Sequence, residues 1–141
     1  MRSLKMSMTN HVTSLEVSKK LKEVGWKKET EFWWITKTRI NSGDGHSGWY
    51  KEEVKGIFEL SYGKQGYVNS VRFPAPLATE LLEELPINSK GGYNLTMYKY
   101  DIGYYAGYAD SKNEDCIANT LPNALAKMYL YLTKKGLIKC Q

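Results

Sequence analysis

The chain has 141 residues, 42% of them apolar and 25% charged, which is one ordinary globular domain able to bury a core without disulfides or metal, and which excludes wholesale disorder. Twenty Lys and Arg against 15 Asp and Glu give a net charge of +5. Apart from Arg2, Arg39 and Arg72 the bases are all Lys, a residue of solvated surfaces more than of bidentate phosphate recognition, so a dedicated nucleic-acid binder is disfavoured.

Residues 1–10, with Met at positions 1, 6 and 8, read as a poorly ordered tail ahead of one domain over residues 11–141. Thr13 and Glu16 stand at capping-box spacing, Val12 and Val17 at staple spacing, and Gly25 supplies a C′ residue. The pattern predicts a helix over about Ser14–Val24 capped by Thr13, with Val17, Leu21 and Val24 on its buried stripe and Lys19, Lys20 and Lys22 off it. Glu31–Thr38 is aromatic and β-branched and reads as a strand; Asn41–Gly48 is a turn cluster, after which Trp49–Val54 returns as a second strand. Ile57–Tyr62 and Tyr67–Phe73 flank Gly63-Lys64-Gln65-Gly66 and read as a hairpin.

Pro74-Ala75-Pro76 opens a second helix, with Pro76 at the first helical position. Leu77, Leu81, Leu82 and Leu85 form its buried face, Glu80, Glu83 and Glu84 an exposed acidic one, and Pro86 closes it. Tyr93–Tyr100 and Ile102–Tyr108 read as two further strands; Leu95 and Met97 share a face of the first, Ile102, Tyr104, Ala106 and Tyr108 a face of the second. The last helix runs from about Leu121 to Lys135, capped by Thr120, with Pro122 in its first turn, Leu121, Leu125, Met128 and Leu132 as its stripe, and Gly136 after it. Helices between mostly antiparallel strands, with no linker and no repeat, give an α+β class: three helices packed on a largely antiparallel sheet, with Val17, Leu21, Leu81, Leu85, Leu125, Met128 and Leu132 in the core.

The residue pattern calls for no catalytic residue, no metal and no cofactor. The loop Gly43–Gly48 lacks the ending of a phosphate-binding P-loop, and Asp44 with His46 has no nucleophile beside it. Asp110, Glu114 and Asp115 lack EF-hand spacing and read as a solvated turn; His11 reads as part of the floppy tail. Cys116 and Cys140 form no CxxC and have no adjacent His, as expected of a reduced cytoplasmic chain. No apolar run reaches the ~18 residues of a membrane span.

The aromatics are the informative group. Trp33 and Trp34 are adjacent, so a strand points them to opposite faces, one of them outward. Tyr98, Tyr100, Tyr104, Tyr105 and Tyr108 are too many for one small core. Such a surface suits a protein interface or the stacking of bases. Together with Lys19, Lys20 and Lys22 these residues make up the candidate binding surface. Uncovered tyrosine strands also expect a two-fold homodimer through the Tyr93–Tyr108 hairpin, where Gly103, Ala106 and Gly107 would let a second backbone approach.

Three stretches resemble a widespread group of small bacteriophage and prophage proteins of unknown function: Thr13–Lys22 followed by Gly25, Pro74–Pro86, and Leu121–Leu132. The region between Trp33 and Phe73 departs from the group and is longer. The resemblance implies a phage or mobile-element product acting in the bacterial cytoplasm and supplies no reaction. The leading expectation is a non-enzymatic accessory protein that binds a host or phage protein, such as a defence component. The alternatives are a weak binder of nucleic acid or a nucleotide signal, using Tyr stacking and Lys contacts, and an enzyme of unrecognised type.

Overall fold

Two adjacent residues could start the first helix, Thr13 and Ser14, and the structure uses the second. In this computed structural model, which describes residues 8–41, 50–63, 71–89, 92–101, 103–108 and 117–137, α1 spans Leu15–Glu23. Its cap is Ser14, whose Oγ accepts from Val17 N at 3.3 Å. Thr13 is wholly buried, and its hydroxyl meets the Ser18 hydroxyl at 2.6 Å. Its backbone is a tie point: Thr13 N donates to Pro76 O, and Trp34 Nε1 donates to Thr13 O at 2.9 Å. The cap expected at Thr13 therefore moves one residue on, because the threonine methyl and hydroxyl are drawn into the interior. Ser14→Ala is expected to cost about 1 kcal/mol through loss of the cap. A denaturant melt showing no change would mean that the cap is dispensable.

The first sheet has the order β2-β1-β3, with β1 at Phe32–Asn41, β2 at Tyr50–Tyr62 and β3 at Arg72–Pro74, all antiparallel. The stretches 49–54 and 57–62, expected as two strands, are one strand interrupted by a bulge. Thr36 pairs with Phe58 and Thr38 with Glu53, so residues 54–57 sit against residue 37. Gly56, at φ +78°, takes the left-handed conformation there that glycine adopts without penalty. The expected hairpin of 57–62 with 67–73 lies partly outside the described residues, and its described end, β3, does not pair with β2. Trp33, Trp34 and Ile35 pair instead with Pro74, Phe73 and Arg72, which places β1 at the centre. Pro74 has no N–H to give, which suits the end of a short edge strand.

α2 covers Ala78–Glu84. Pro76 lies before the helix, and Leu77 occupies the cap position. The Leu77 amide is held by Glu80 Oε1 at 2.8 Å, and Glu80 Oε2 also accepts from Glu31 N at 3.0 Å. The acidic face is thus partly engaged: Lys28 bridges Glu83 and Glu84. Hydrogen bonding to Glu83, then the nearby Glu84, holds the Lys28 ammonium above its ordinary pKa despite partial desolvation.

The second sheet has the order β4-β5-β6, with β4 at Thr96–Tyr100, β5 at Gly103–Gly107 and β6 at Ile117–Ala118. β6 is a two-residue strand without a sequence signal of its own; Lys127 Nζ donates to Ile117 O and fastens it to the last helix. That helix, α3, spans Leu121–Lys134 with Thr120 as cap and Pro122 in the first turn, as read from the sequence. It contacts α1, α2, β5 and β6, and α1 in turn contacts β3 of the first sheet. All seven expected core residues are buried. Trp26 and Tyr129, which the apolar stripes did not single out, join them edge to face with ring centroids 5.0 Å apart. The class is α+β: among the described residues, α1, α2 and α3 pack with two antiparallel three-stranded sheets.

Candidate docking edge on the tyrosine sheet

β5 is the centre of its sheet, and glycine makes its packing possible. A Cβ on Gly103 would strike the Ala118 carbonyl oxygen, so β6 can approach only because none is there. A Cβ on Gly107 would lie 2.7 Å from Tyr105 Oη and 2.9 Å from Met128 Cε, inside contact distance of both. Ala106 is buried as well. The small residues expected to admit a second molecule therefore admit the chain's own β6, Tyr105 and α3. A partner strand has to seek another edge.

That edge is β4. Among the described residues it pairs only with β5, and all five of its residues are exposed. Thr96 Oγ1 donates to Gly107 O at 3.0 Å and fixes one end. The register sets Tyr98 opposite Tyr105 and Tyr105 opposite Ile117, so Tyr98, Tyr100, Tyr105 and Ile117 share a face. Their rings form a tilted cluster, with centroids 6.0 Å apart for Tyr98–Tyr105 and 6.3 Å for Tyr98–Tyr100. Met97, Tyr98 and Tyr100 remain 45%, 54% and 48% exposed. Leu95 packs on the core while Met97 does not, so the face they were expected to share is split where the helices stop covering the sheet. A short ladder leads into β4: Leu95 N donates to Ile87 O and Ser89 N to Tyr93 O, and both Ile87 and Tyr93 are exposed. Tyr93 opens the hairpin singled out from the sequence; Ile87 was not picked out there, because a lone Ile before a turn carries no exposure signal.

The other sequence candidates are dispersed. Tyr108 belongs to the core and not to the surface: it is fully buried and its hydroxyl donates to Pro86 O. Burial pushes its pKa up to about 12. Tyr104 is half-buried beside an open cleft of about 540 Å³, lined also by His11, Ala78, Thr120 and Pro122. Both tryptophans of β1 are half-buried, and both indole N–H groups are satisfied by backbone, Trp33 by Thr30 O and Trp34 by Thr13 O. Lys19 lies over the rings of Phe58 and Phe73, and Lys22 over Phe73 with its ammonium donating to Arg72 O. Their stems thus roof the first sheet; Lys20 is exposed. Gly43–Gly48 with Asp44 and His46, the Asp110, Glu114 and Asp115 turn, and both cysteines lie outside the described residues. Among the described residues no group of three His, Cys, Asp or Glu could hold a metal ion, and no helix is long and apolar enough to cross a membrane. No family profile, no curated protein and no solved structure matches the chain.

Proposed function

We propose that this chain is a non-enzymatic accessory protein of a bacteriophage or prophage that acts by binding a host or phage protein, and that β4 is its docking edge. The phage context comes from the resemblance of the three helical stretches. The observation that carries the binding reading is a five-residue edge strand with every residue exposed and three large apolar side chains on it. An edge of this kind, open among the described residues, takes a partner strand through main-chain hydrogen bonds, and the adjoining side chains select the partner. Tyr98, Tyr100 and Tyr105 are suited to that second task, because tyrosine rings bring large contact area with little side-chain entropy to lose.

Affinity capture from infected or lysogenic cells tests the reading with two baits, the natural chain and Tyr98→Glu/Tyr100→Glu. One discrete protein retained by the first and lost with the second, at matching melting temperatures, is the expected result. Equal retention by both baits would remove β4 from the interface.

Nucleic-acid stacking is the second reading, and Lys99 between Tyr98 and Tyr100 on the same edge favours it. Lys19 and Lys22 sit instead on Phe58 and Phe73 of the first sheet. Affinity for DNA or RNA is accordingly expected to be weak, indifferent to sequence, and to fall steeply with salt through counterion release. Fluorescence anisotropy with labelled oligonucleotides measures it; tight, salt-resistant binding to one sequence would give the stacking reading first place.

A further inference from the structure

We infer that the cleft beside Tyr104 binds an uncharged purine nucleoside, with the base against the tyrosine ring and its polar edge met by Asn10 and Asn119. The site lies away from β4, and its occupancy does not depend on the docking reading.

Four pieces of chain build the cleft. Val12 is wholly buried and bridges Leu77, and Thr13 N donates to Pro76 O. That short antiparallel contact carries Asn10 and His11 to the start of α2, where Ala78 forms part of the wall. Tyr104 comes from β5 and pairs with Ala118 of β6. Asn119 and Thr120 follow β6 directly and lead into Leu121 and Pro122 of α3. Side chains alternate along β5, so Tyr104 faces away from the Tyr98–Tyr105 cluster. The cleft measures about 540 Å³, within the roughly 300–1,000 Å³ of small-molecule sites.

The lining selects the ligand by charge. Among the described residues that line the cleft, none is Lys, Arg, Asp or Glu. The start of α3 offers little to an anion either. Pro122 has no N–H, the Asn123 amide donates to Thr120 Oγ1 at 3.4 Å, and the Ala124 amide donates to Thr120 O. A phosphate entering here would give up water without gaining a cation. A flat neutral ring gains instead. Tyr104 is half-buried against the core and held by the pairing of β5 with β6, so its ring is a platform fixed before the ligand arrives. Among the described residues, the side chains of Asn10, His11 and Asn119 and the Tyr104 hydroxyl make no hydrogen bond within the protein, which leaves their donors and acceptors for a ligand. Asparagine presents a donor and an acceptor side by side, and that pair matches the amino group and neighbouring ring nitrogen of adenine. His11 has ring nitrogens to spare for a ribose hydroxyl.

Isothermal titration calorimetry with adenosine, adenosine monophosphate and uridine tests the site. Adenosine is expected to bind with a Kd on the order of 0.1 mM, the affinity that ordinary ligand efficiency gives a molecule of its size. The monophosphate should bind several-fold more weakly, and so should uridine, which lacks the adenine edge. Asn10 and Asn119 are exposed. Asn10→Ala and Asn119→Ala should therefore leave the melting temperature unchanged while each weakens adenosine binding roughly tenfold. Tighter binding of the monophosphate would overturn the uncharged ligand, and equal binding of uridine would overturn the purine. Adenosine affinity unmoved by both asparagine changes would remove the cleft as the site, and no saturable binding of adenosine would overturn the inference as a whole. None of these results touches the docking reading of β4, which the Tyr98→Glu/Tyr100→Glu bait tests.

Discussion

Leu125→Ala is expected to lower the unfolding free energy by about 2–5 kcal/mol. Leu125 is fully buried on α3 and belongs to one cluster with Leu21 of α1, Leu81 of α2 and Ala106 of β5. Removing its branched end leaves a cavity inside that cluster. α3 cannot move to fill it without opening its contacts with the others, so most of the cavity cost remains. Urea melts should show an earlier midpoint with an unchanged slope, since the surface exposed on unfolding hardly differs. A loss under about 1 kcal/mol would place the centre of the core elsewhere, and a loss equal to that of Ser14→Ala would mean that the helix cap and the core centre carry similar weight.

The second large effect is expected at Tyr108 and appears in alkali. Its ring is buried in the same cluster, and its hydroxyl donates to Pro86 O, the residue that follows α2. Burial disfavours the phenolate, so the folded-state pKa rises from the ordinary 10.0 to about 12. A raised pKa contributes stability that is complete below pH 10 and is lost as pH climbs from 10 through 12. The full loss for such a rise is about 3 kcal/mol. Tyr108→Phe has no proton to lose. At pH 7 it should be less stable by about 1–3 kcal/mol, because the Pro86 carbonyl loses its donor inside the protein. Between pH 10 and 12 the deficit should shrink by about 2 kcal/mol. The other tyrosines titrate in both proteins and cancel in the difference. A deficit constant from pH 8 to 12 would show that the Tyr108 hydroxyl reaches water.

Much of the fold was legible because it is written in local spacing. The stripe Leu125, Met128 and Leu132, the Thr120 cap with Pro122 behind it, and the Leu81 and Leu85 pair each need only a few neighbouring residues to be read. The failures share one physical cause. Thr13 and Ser14 are equally able to cap a helix, and the choice was made by Ser18 and Trp34, which engage Thr13 in the interior. Phe73 could have paired with β2 across a short turn but pairs with β1. A strand of Trp, Ile and Thr flanked on both edges buries more apolar surface than the same strand left at the rim.

The candidate site shows the same division. The sequence announced a surplus of tyrosine in the stretch from 98 to 108 but could not sort its members. Period two separates Tyr98, Tyr100 and Tyr105 from Tyr104 only once the register is known. Nothing local distinguishes Tyr108, wholly inside, from Tyr98, half outside. By itself the sequence determined the class, the three helices, their inward faces and the excess of aromatics, since each is a matter of composition or of residues within one turn of each other. Only the tertiary structure decided which strand became an edge and which tyrosines lie on it. Those outcomes depend on where α3 and its neighbours stop covering the second sheet, and that boundary is set by contacts between residues far apart in the chain.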